Sequence, residues 1–171
     1  AKELKHLLRK YRIKWVDPEL YHLTLFFFGE VPMDQLAELK DAIRSAVEGM
    51  PAFSFKLTNP GLFKRGHEPR VLWLGIEAPE ILFDLKKRID REVEPLGFIS
   101  NEKFFNPHLT IGRFIPGQII EPSLNGALTN SRFLHPVQYV ANEIVLFESR
   151  LSPHGASYYP LEIFSLQSDN D

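Results

Sequence analysis

The same pattern, His-Leu-Thr followed by Leu or Ile, occurs twice in the chain, at residues 22–25 and 108–111. With six histidines and four threonines in 171 residues, a Thr would stand two positions after a His about 0.14 times by chance. Each copy opens an apolar segment, 21–28 and 108–114, whose β-branched and aromatic residues predict a strand. We therefore interpret the repeat as functional and not as coincidence.

The side chains at positions i and i+2 of a strand leave the same face. His22 is thus expected beside Thr24, and His108 beside Thr110. If the two strands lie side by side or across a groove, the two imidazoles face each other with a hydroxyl next to each. Such an arrangement would bind one small anion.

The chemistry that fits this set is displacement at phosphorus. Imidazole has a reference pKa of about 6.5, so one ring can act as a neutral base and another as a charged acid at the same pH. Hydroxyls can donate to the non-bridging oxygens as their charge grows. Each pattern supplies only one strong metal ligand, with no third ligand at a suitable spacing, so we expect neither a metal nor another cofactor. The alternative for either histidine alone is a structural role in a strand.

The remaining sequence predicts an α+β fold with mostly antiparallel sheets, because helical and strand periods alternate along the chain. Asp34 is the predicted N-cap of the second helix. The helices are predicted at 2–10, 34–48 and 79–93, further strands at 12–16, 53–57, 71–76, 137–147 and 158–166, and loops at 61–70 and 116–136.

Composition restricts the class of protein further. The length of 171 residues suits one domain. The net charge of −2 excludes the wide positive surface of a protein that coats nucleic acid. The chain has no cysteine and no apolar run long enough for a signal peptide or a membrane span. We expect a soluble, cytoplasmic monomer that does not contact membranes.

The paired motifs, HLTLFFFGEV at 22–31 and PHLTIGRF at 107–114, resemble the 2H phosphoesterase superfamily, and most closely its LigT-like RNA 2′,3′-cyclic phosphodiesterases, also called 2′-5′ RNA ligases. The similarity extends through nearly the whole chain, in WVDPELYHLTL at 15–25, GLF at 61–63, PRVLWLGI at 69–76 and LFESRLSPHGASYYPLEIFSL at 146–166. It implies a bilobal α+β fold in which a pseudo-twofold relates two mostly antiparallel sheets, with helices outside and a central groove.

The resemblance also implies residue roles. His22 and His108 would be the acid/base pair, and Thr24 and Thr110 would hold the phosphate. If the product is a 2′-phosphomonoester, His22 donates the proton to the 3′ oxygen and His108 is the base.

Two further residues are candidates for substrate binding. Arg113 matches an Arg that commonly follows the second motif, but regular alternation puts it on the opposite face from His108, so a phosphate contact needs a β-bulge or the end of the strand. Its alternative role is a structural ion pair. Phe63 could stack on a base while the cations of loop 64–70 lead an RNA backbone toward the groove, unless that loop is merely solvated.

The function expected from these residues is metal-independent hydrolysis of a 2′,3′-cyclic phosphate, at an RNA 3′ end or in a small cyclic nucleotide, to a 2′-phosphomonoester. One alternative is 2′-5′ ligation of RNA or tRNA halves by the same acid/base pair. The other is a binding module for nucleotides or RNA ends that catalyses nothing. Residues 1–171 are expected to form a single domain of the family, whose usual first apolar strand would lie upstream of Ala1.

Overall fold

The computed structural model describes residues 2–100, 104–129, 138–152 and 155–167. Its helices are α1 (Lys2–Leu7), α2 (Leu36–Val47), α3 (Glu80–Val93) and α4 (Pro122–Thr129). Its strands are β1 (Ile13–Trp15), β2 (Phe53–Arg65), β3 (Glu68–Glu77), β4 (His108–Phe114), β5 (Gln138–Ala141), β6 (Glu143–Ser152) and β7 (Gly155–Ser165). Within this part of the chain, no helix is both long enough and apolar enough to cross a membrane.

The fold is α+β with mostly antiparallel strand pairing, as the sequence predicts. One sheet has five strands in the order β1-β4-β3-β2-β5, and β6 pairs with β7 in a second sheet. The chain divides into two compact units. Unit 1 consists of Ala1–Leu25, Phe55–Ala78 and Asn106–Gln138, and unit 2 of Phe26–Ser54, Pro79–Phe105 and Tyr139–Asp171.

The core of unit 1 uses one face of the sheet. Helices α1 and α4 contribute Leu4, Leu124 and Leu128 to the same buried cluster as alternate residues of β3 and β4. The strand residues in this cluster are Leu72, Leu74, Leu109, Ile111 and Phe114. Because side chains alternate across a strand, the residues between them project from the other face, which the cluster does not use.

Unit 2 is built on the amphipathic helices α2 and α3. Each helix has apolar side chains at intervals of three and four residues, which places them on one stripe. The buried members are Leu39, Ile43, Ala46 and Val47 on α2 and Leu82, Leu85, Ile89 and Val93 on α3. Lys40 and Arg44 of α2 form ion pairs with Glu162 of β7.

The first His-x-Thr segment differs from its prediction. A continuous strand over 21–28 is wrong, because only Leu23 enters the ladder, through an isolated bridge to Leu109. The residues before it, Pro18–Leu20, form a short 3-10 turn, and the chain passes into unit 2 after Leu25. The predicted N-cap of α2 is wrong too: Gln35 is in that position, without a side-chain capping hydrogen bond.

The predicted loop at 61–70 is a β-hairpin. Strands β2 and β3 continue through it and join at a turn where Gly66 has φ +62°, the positive φ that two-residue hairpin turns require. A β-bulge between Leu57 and Pro60 explains how Pro60 can lie within β2, because proline cannot donate a hydrogen bond to a regular ladder. The predicted loop at 116–136 contains α4, while its last part, 130–137, lies outside the described residues. The strand predicted at 137–147 is interrupted at Asn142, between β5 and β6.

Candidate active site

The two His-Leu-Thr motifs meet at their middle residues. Leu23 and Leu109 form an antiparallel bridge, and both leucines pack into the core of unit 1. In an antiparallel pair the flanking residues oppose one another in reverse order. The bridge therefore sets His22 opposite Thr110 and Thr24 opposite His108.

The side chains of these four residues project from the face of the sheet opposite to that of the two leucines. Directly opposed residues have Cα atoms about 4.5–5.5 Å apart. The two histidines are diagonal neighbours across the bridge, and such residues lie roughly 7–8 Å apart, measured between Cα atoms. Each histidine therefore has one threonine two residues along its own segment and the other across the bridge, and this set of two imidazoles and two hydroxyls could hold one phosphate group.

Both imidazoles are held by the backbone in the same way. The Nδ1 atom of His22 lies 2.8 Å from the carbonyl oxygen of Leu20, and that of His108 lies 2.7 Å from the carbonyl oxygen of Asn106. A carbonyl oxygen can only accept, so Nδ1 carries hydrogen and donates in both rings. The proton that each ring can exchange with a substrate is therefore on Nε2.

The surroundings of the two rings differ. His22 is exposed, whereas His108 is half-buried beside Phe63 and Trp73. The Phe63 ring meets the His108 ring nearly perpendicularly, at 4.8 Å between centroids, and Trp73 lies 6.3 Å from it. Phe63 is thus in the candidate site, in contact with His108, and its stacking on a base stays a prediction.

Glycine makes room for this aromatic cluster. A Cβ atom on Gly61 would come within 2.3 Å of the Trp73 ring, so the indole lies directly over the backbone of β2. The Trp73 Nε1 atom is buried without a hydrogen-bond partner among the described residues. The indole is thus held by packing against Gly61 and Phe63, whose ring centroid is 5.3 Å away.

A β-bulge brings Arg113 to the face that carries the histidines. Trp73 pairs with Thr110, but Leu72 pairs with Gly112, so Ile111 is an extra residue in β4. Ile111 and Gly112 are both buried in consequence, and Arg113 pairs with Val71 on the face of Trp73 and Thr110. Regular alternation would put Arg113 on the face opposite to His108. Because of the bulge, Arg113 lies on the same face as His108, where it could contact a phosphate.

The charged side chains near the motifs differ in whether they are paired. The Arg113 side chain makes no ion pair with any residue that the structure describes, which disfavours the structural alternative. In the hairpin formed by 64–70, Arg70 is paired with Glu68. Burial, with a smaller contribution from Asp17, raises the pKa of Tyr21, so this phenol beside His22 stays neutral near neutral pH.

Sequence reasoning missed Trp73 and Lys14. Lys14 of β1 is the cross-strand partner of Arg113. Neither residue belongs to a motif; the strand register brings Trp73 beside His108 and Lys14 beside Arg113. In the part of the chain that is described, no three His, Cys, Asp or Glu side chains are grouped so that they could hold a metal ion.

Known proteins resemble the chain over most of its length. Residues 1–73 match the family described as LigT like Phosphoesterase. The RNA 2′,3′-cyclic phosphodiesterase of Thermotoga maritima is 35% identical over 154 residues, which cover 90% of this chain and 80% of the relative. The protein of the same name from Methanothermobacter thermautotrophicus is 32% identical over 155 residues, or 91% and 83% of the two chains.

Solved structures agree with these sequence relatives. TT0787 of Thermus thermophilus superposes with a TM-score of 0.78 at 28% identity, over 99% of this chain and 91% of that chain. E. coli LigT complexed with 3′-AMP shares the fold, with a TM-score of 0.69 at 23% identity over 96% and 90% of the two chains. Together with the bridged His-x-Thr motifs, these similarities show that the chain belongs to the LigT-like phosphoesterase family.

Proposed function

We propose that this protein hydrolyses 2′,3′-cyclic phosphates, at RNA 3′ ends or in small nucleotides, to 2′-phosphomonoesters. The observation that carries the proposal is the bridge between Leu23 and Leu109, because its register brings two imidazoles and two hydroxyls to one face of the sheet. The names of the Thermotoga and Methanothermobacter relatives support the choice of substrate.

In the proposed reaction a water oxygen attacks phosphorus while Nε2 of His108 accepts the water proton. The bond between phosphorus and the 3′ oxygen breaks, and Nε2 of the His22 imidazolium donates its proton to that oxygen. Thr24 and Thr110 donate hydrogen bonds to the non-bridging oxygens, whose negative charge increases in the transition state. The product keeps the phosphate on the 2′ oxygen, His108 ends protonated and His22 ends neutral.

The backbone hydrogen bonds at Nδ1 support this assignment of atoms. Because Leu20 and Asn106 engage Nδ1, both rings exchange protons through Nε2, and neither has to rotate between steps. The proposal needs no metal, and it treats the chain as one monomeric domain that acts in the cytoplasm.

The direct test offers adenosine 2′,3′-cyclic phosphate and a short RNA with a cyclic 3′ end to the purified protein, in ¹⁸O-labelled water and with EDTA. We expect a 2′-phosphate that contains one ¹⁸O atom, and a bell-shaped dependence of kcat/KM on pH. His22→Ala and His108→Ala should each lower kcat by roughly 100-fold or more. His6→Ala serves as the matched control, since His6 is exposed on α1.

Several outcomes would contradict the proposal. Full activity in either histidine variant would exclude the acid/base roles, and loss of activity in EDTA would exclude a metal-independent reaction. Saturable binding without product at any pH would indicate a binding module. Joined 2′-5′ product from tRNA halves, without opening of cyclic ends, would indicate a ligase.

A further inference from the structure

One lysine of α3 is buried beside the apolar stripe of that helix. Lys86 is 5% exposed, and no other charged residue is buried in the part of the chain that the structure describes. Its ammonium group pairs with the carboxylate of Asp90, one turn further along the helix, which is partly exposed. An apolar side chain of similar size is often as stabilising as a buried ion pair, or more so. Stability alone therefore does not explain a lysine at this position.

Two phenylalanine rings lie against the ammonium group of Lys86. Its Nζ atom is 5.1 Å from the centre of the Phe26 ring and 5.8 Å from the centre of the Phe105 ring. A cation within about 6 Å of a ring centre is attracted by the ring face, and more strongly where water is excluded. One buried charge thus holds two residues that are far apart in the sequence, and all three residues belong to unit 2.

Each of the two rings also contacts a second ring. Phe28 stacks on Phe26 at 4.5 Å between centroids, and Phe83 meets Phe105 edge-on at 5.9 Å. Phe83 and Lys86 lie three residues apart on α3, so both project from neighbouring turns of the same helix surface. Phe105 is therefore held against α3 from two sides, by a ring edge and by a charge.

The two phenylalanines adjoin the His-x-Thr motifs in the sequence. Phe26 directly follows the first motif, 22–25, and Phe105 stands three residues before His108. The chain passes from unit 1 to unit 2 just before Phe26 and returns to unit 1 just after Phe105. The next residue, Asn106, supplies the carbonyl oxygen that accepts the hydrogen bond from Nδ1 of His108. Phe105 is thus bonded directly to the residue that orients this imidazole.

We propose that Lys86 is a positioning residue for His108. Its ammonium group fixes Phe105 and, through the chain, the Asn106 carbonyl that holds Nδ1 of the ring. The inference rests on the proposed function, since it concerns the orientation of the proposed base. A displacement of about 1 Å at a reacting group can lower a rate by about 100-fold, so a charge that does not touch the substrate can still affect kcat.

Lys86→Met tests the role of the charge, because it keeps an apolar chain of similar length. We expect kcat on adenosine 2′,3′-cyclic phosphate to fall about tenfold or more, with KM changed by less than about twofold. The urea midpoint of unfolding should be at least as high as that of the wild type. Lys86→Arg keeps a charge that both rings attract, and its kcat should lie within about threefold of the wild type.

Lys87→Met is the matched control. It makes the same substitution at the next residue of α3, but the Lys87 side chain is 77% exposed and pairs with Asp84. Its kcat and KM should equal those of the wild type. A loss of kcat in Lys87→Met equal to that in Lys86→Met would overturn the inference, because removal of any charge from α3 would then have the same effect.

Nitrogen-15 NMR of the histidine rings tests the inference without turnover. At about pH 8.5 the imidazoles are neutral, and the wild type should show His108 with its hydrogen on Nδ1, because that atom donates to Asn106. His108→Asn identifies the signal. Lys86→Met should convert part of it to the form with hydrogen on Nε2, whereas Lys87→Met should leave it unchanged. This result would support the inference even if no cyclic phosphate were hydrolysed.

Phe105→Leu is a second variant, which tests the same path if Lys86→Met does not fold. It removes the ring but keeps an apolar side chain, and it should shift the His108 tautomer in the same direction. Adding Lys86→Met to it should change the tautomer and kcat little further, because both substitutions break one contact. A His108 tautomer that matches the wild type in the folded variants would overturn the inference, whatever their activity.

Discussion

At the scale of single residues, each histidine uses one ring nitrogen to hold its position and has the other nitrogen available for the proposed proton transfer. The carbonyl oxygens of Leu20 and Asn106 fix the ring orientation through Nδ1, whereas the proposed proton exchange uses Nε2. A side chain that keeps only the first of these functions should therefore keep the structure and lose the activity. Asparagine is such a side chain, because its Nδ2 occupies the position of the histidine Nδ1.

His108→Asn should leave the free energy of unfolding within about 0.5 kcal/mol of the wild type and lower kcat by roughly 100-fold or more. His108→Gln is the comparison, because its amide lies at the position of Nε2 and cannot donate to Asn106. It should be equally inactive and less stable. Urea denaturation and initial rates on a cyclic dinucleotide check both expectations, and a kcat in His108→Asn close to that of the wild type would contradict them.

At the scale of secondary structure, the sequence predicted some elements well and others poorly. Strand β4 has the predicted ends, because its apolar alternation is regular as far as Ile111. The bulge that follows depends on the register with β3, which no local pattern reveals. The placement of the four motif residues on one face follows from local alternation and could be predicted, whereas the face of Arg113 depends on the bulge and could not.

The hairpin of β2 and β3 was missed for a different reason. Pro60, Gly61, Gly66 and Pro69 are typical of loops, and together they hide the strand period. In the structure Pro60 and Pro69 are buried, Gly66 forms the turn, and Gly61 is required by the Trp73 ring. Close contact of the backbone with a large side chain on the neighbouring strand is a tertiary property that composition does not indicate.

Gly61→Ala tests this contact. Its methyl group would overlap the Trp73 ring, and we expect it to lower the free energy of unfolding by about 1–3 kcal/mol and to lower kcat by displacing the aromatic cluster beside His108. The double variant Gly61→Ala with Trp73→Leu should be more stable than the sum of the single effects predicts. Thermal and urea denaturation of the four proteins measure this coupling.

Gly126→Ala is the control for the loss of a glycine. Gly126 lies in α4, and a Cβ atom added there would meet no neighbouring atom within 4 Å, so alanine should stabilise the protein by up to about 1 kcal/mol through helix propensity. Additive effects of the Gly61 and Trp73 substitutions would contradict the proposed contact.

At the scale of the whole molecule, charge restricts how much RNA can be bound. With 20 Lys and Arg against 22 Asp and Glu, the chain has no excess of cations to attract a long polyanion. If RNA is the substrate, as we propose, its binding must depend on a few local contacts near the two motifs.

We therefore expect kcat/KM to change little between a cyclic dinucleotide and a cyclic trinucleotide or hexanucleotide. Each additional phosphate contact would steepen the salt dependence of kcat/KM, with a slope of about 0.7 per contact on a single strand. Initial rates over a range of salt concentrations with each length measure both quantities. A slope that continues to steepen with length would contradict this expectation.

The antiparallel bridge between Leu23 and Leu109 has a local twofold axis, and rotation about it exchanges one His-x-Thr motif for the other. Taken alone, the two motifs could therefore hold a nucleotide strand with either polarity. Phe63, Trp73, Lys14 and Arg113 lie beside His108 and its strand, and these residues break the symmetry. Under the proposed function, these neighbours of the second motif, and not the repeated residues, would decide the direction in which a strand enters and hence which ester oxygen leaves.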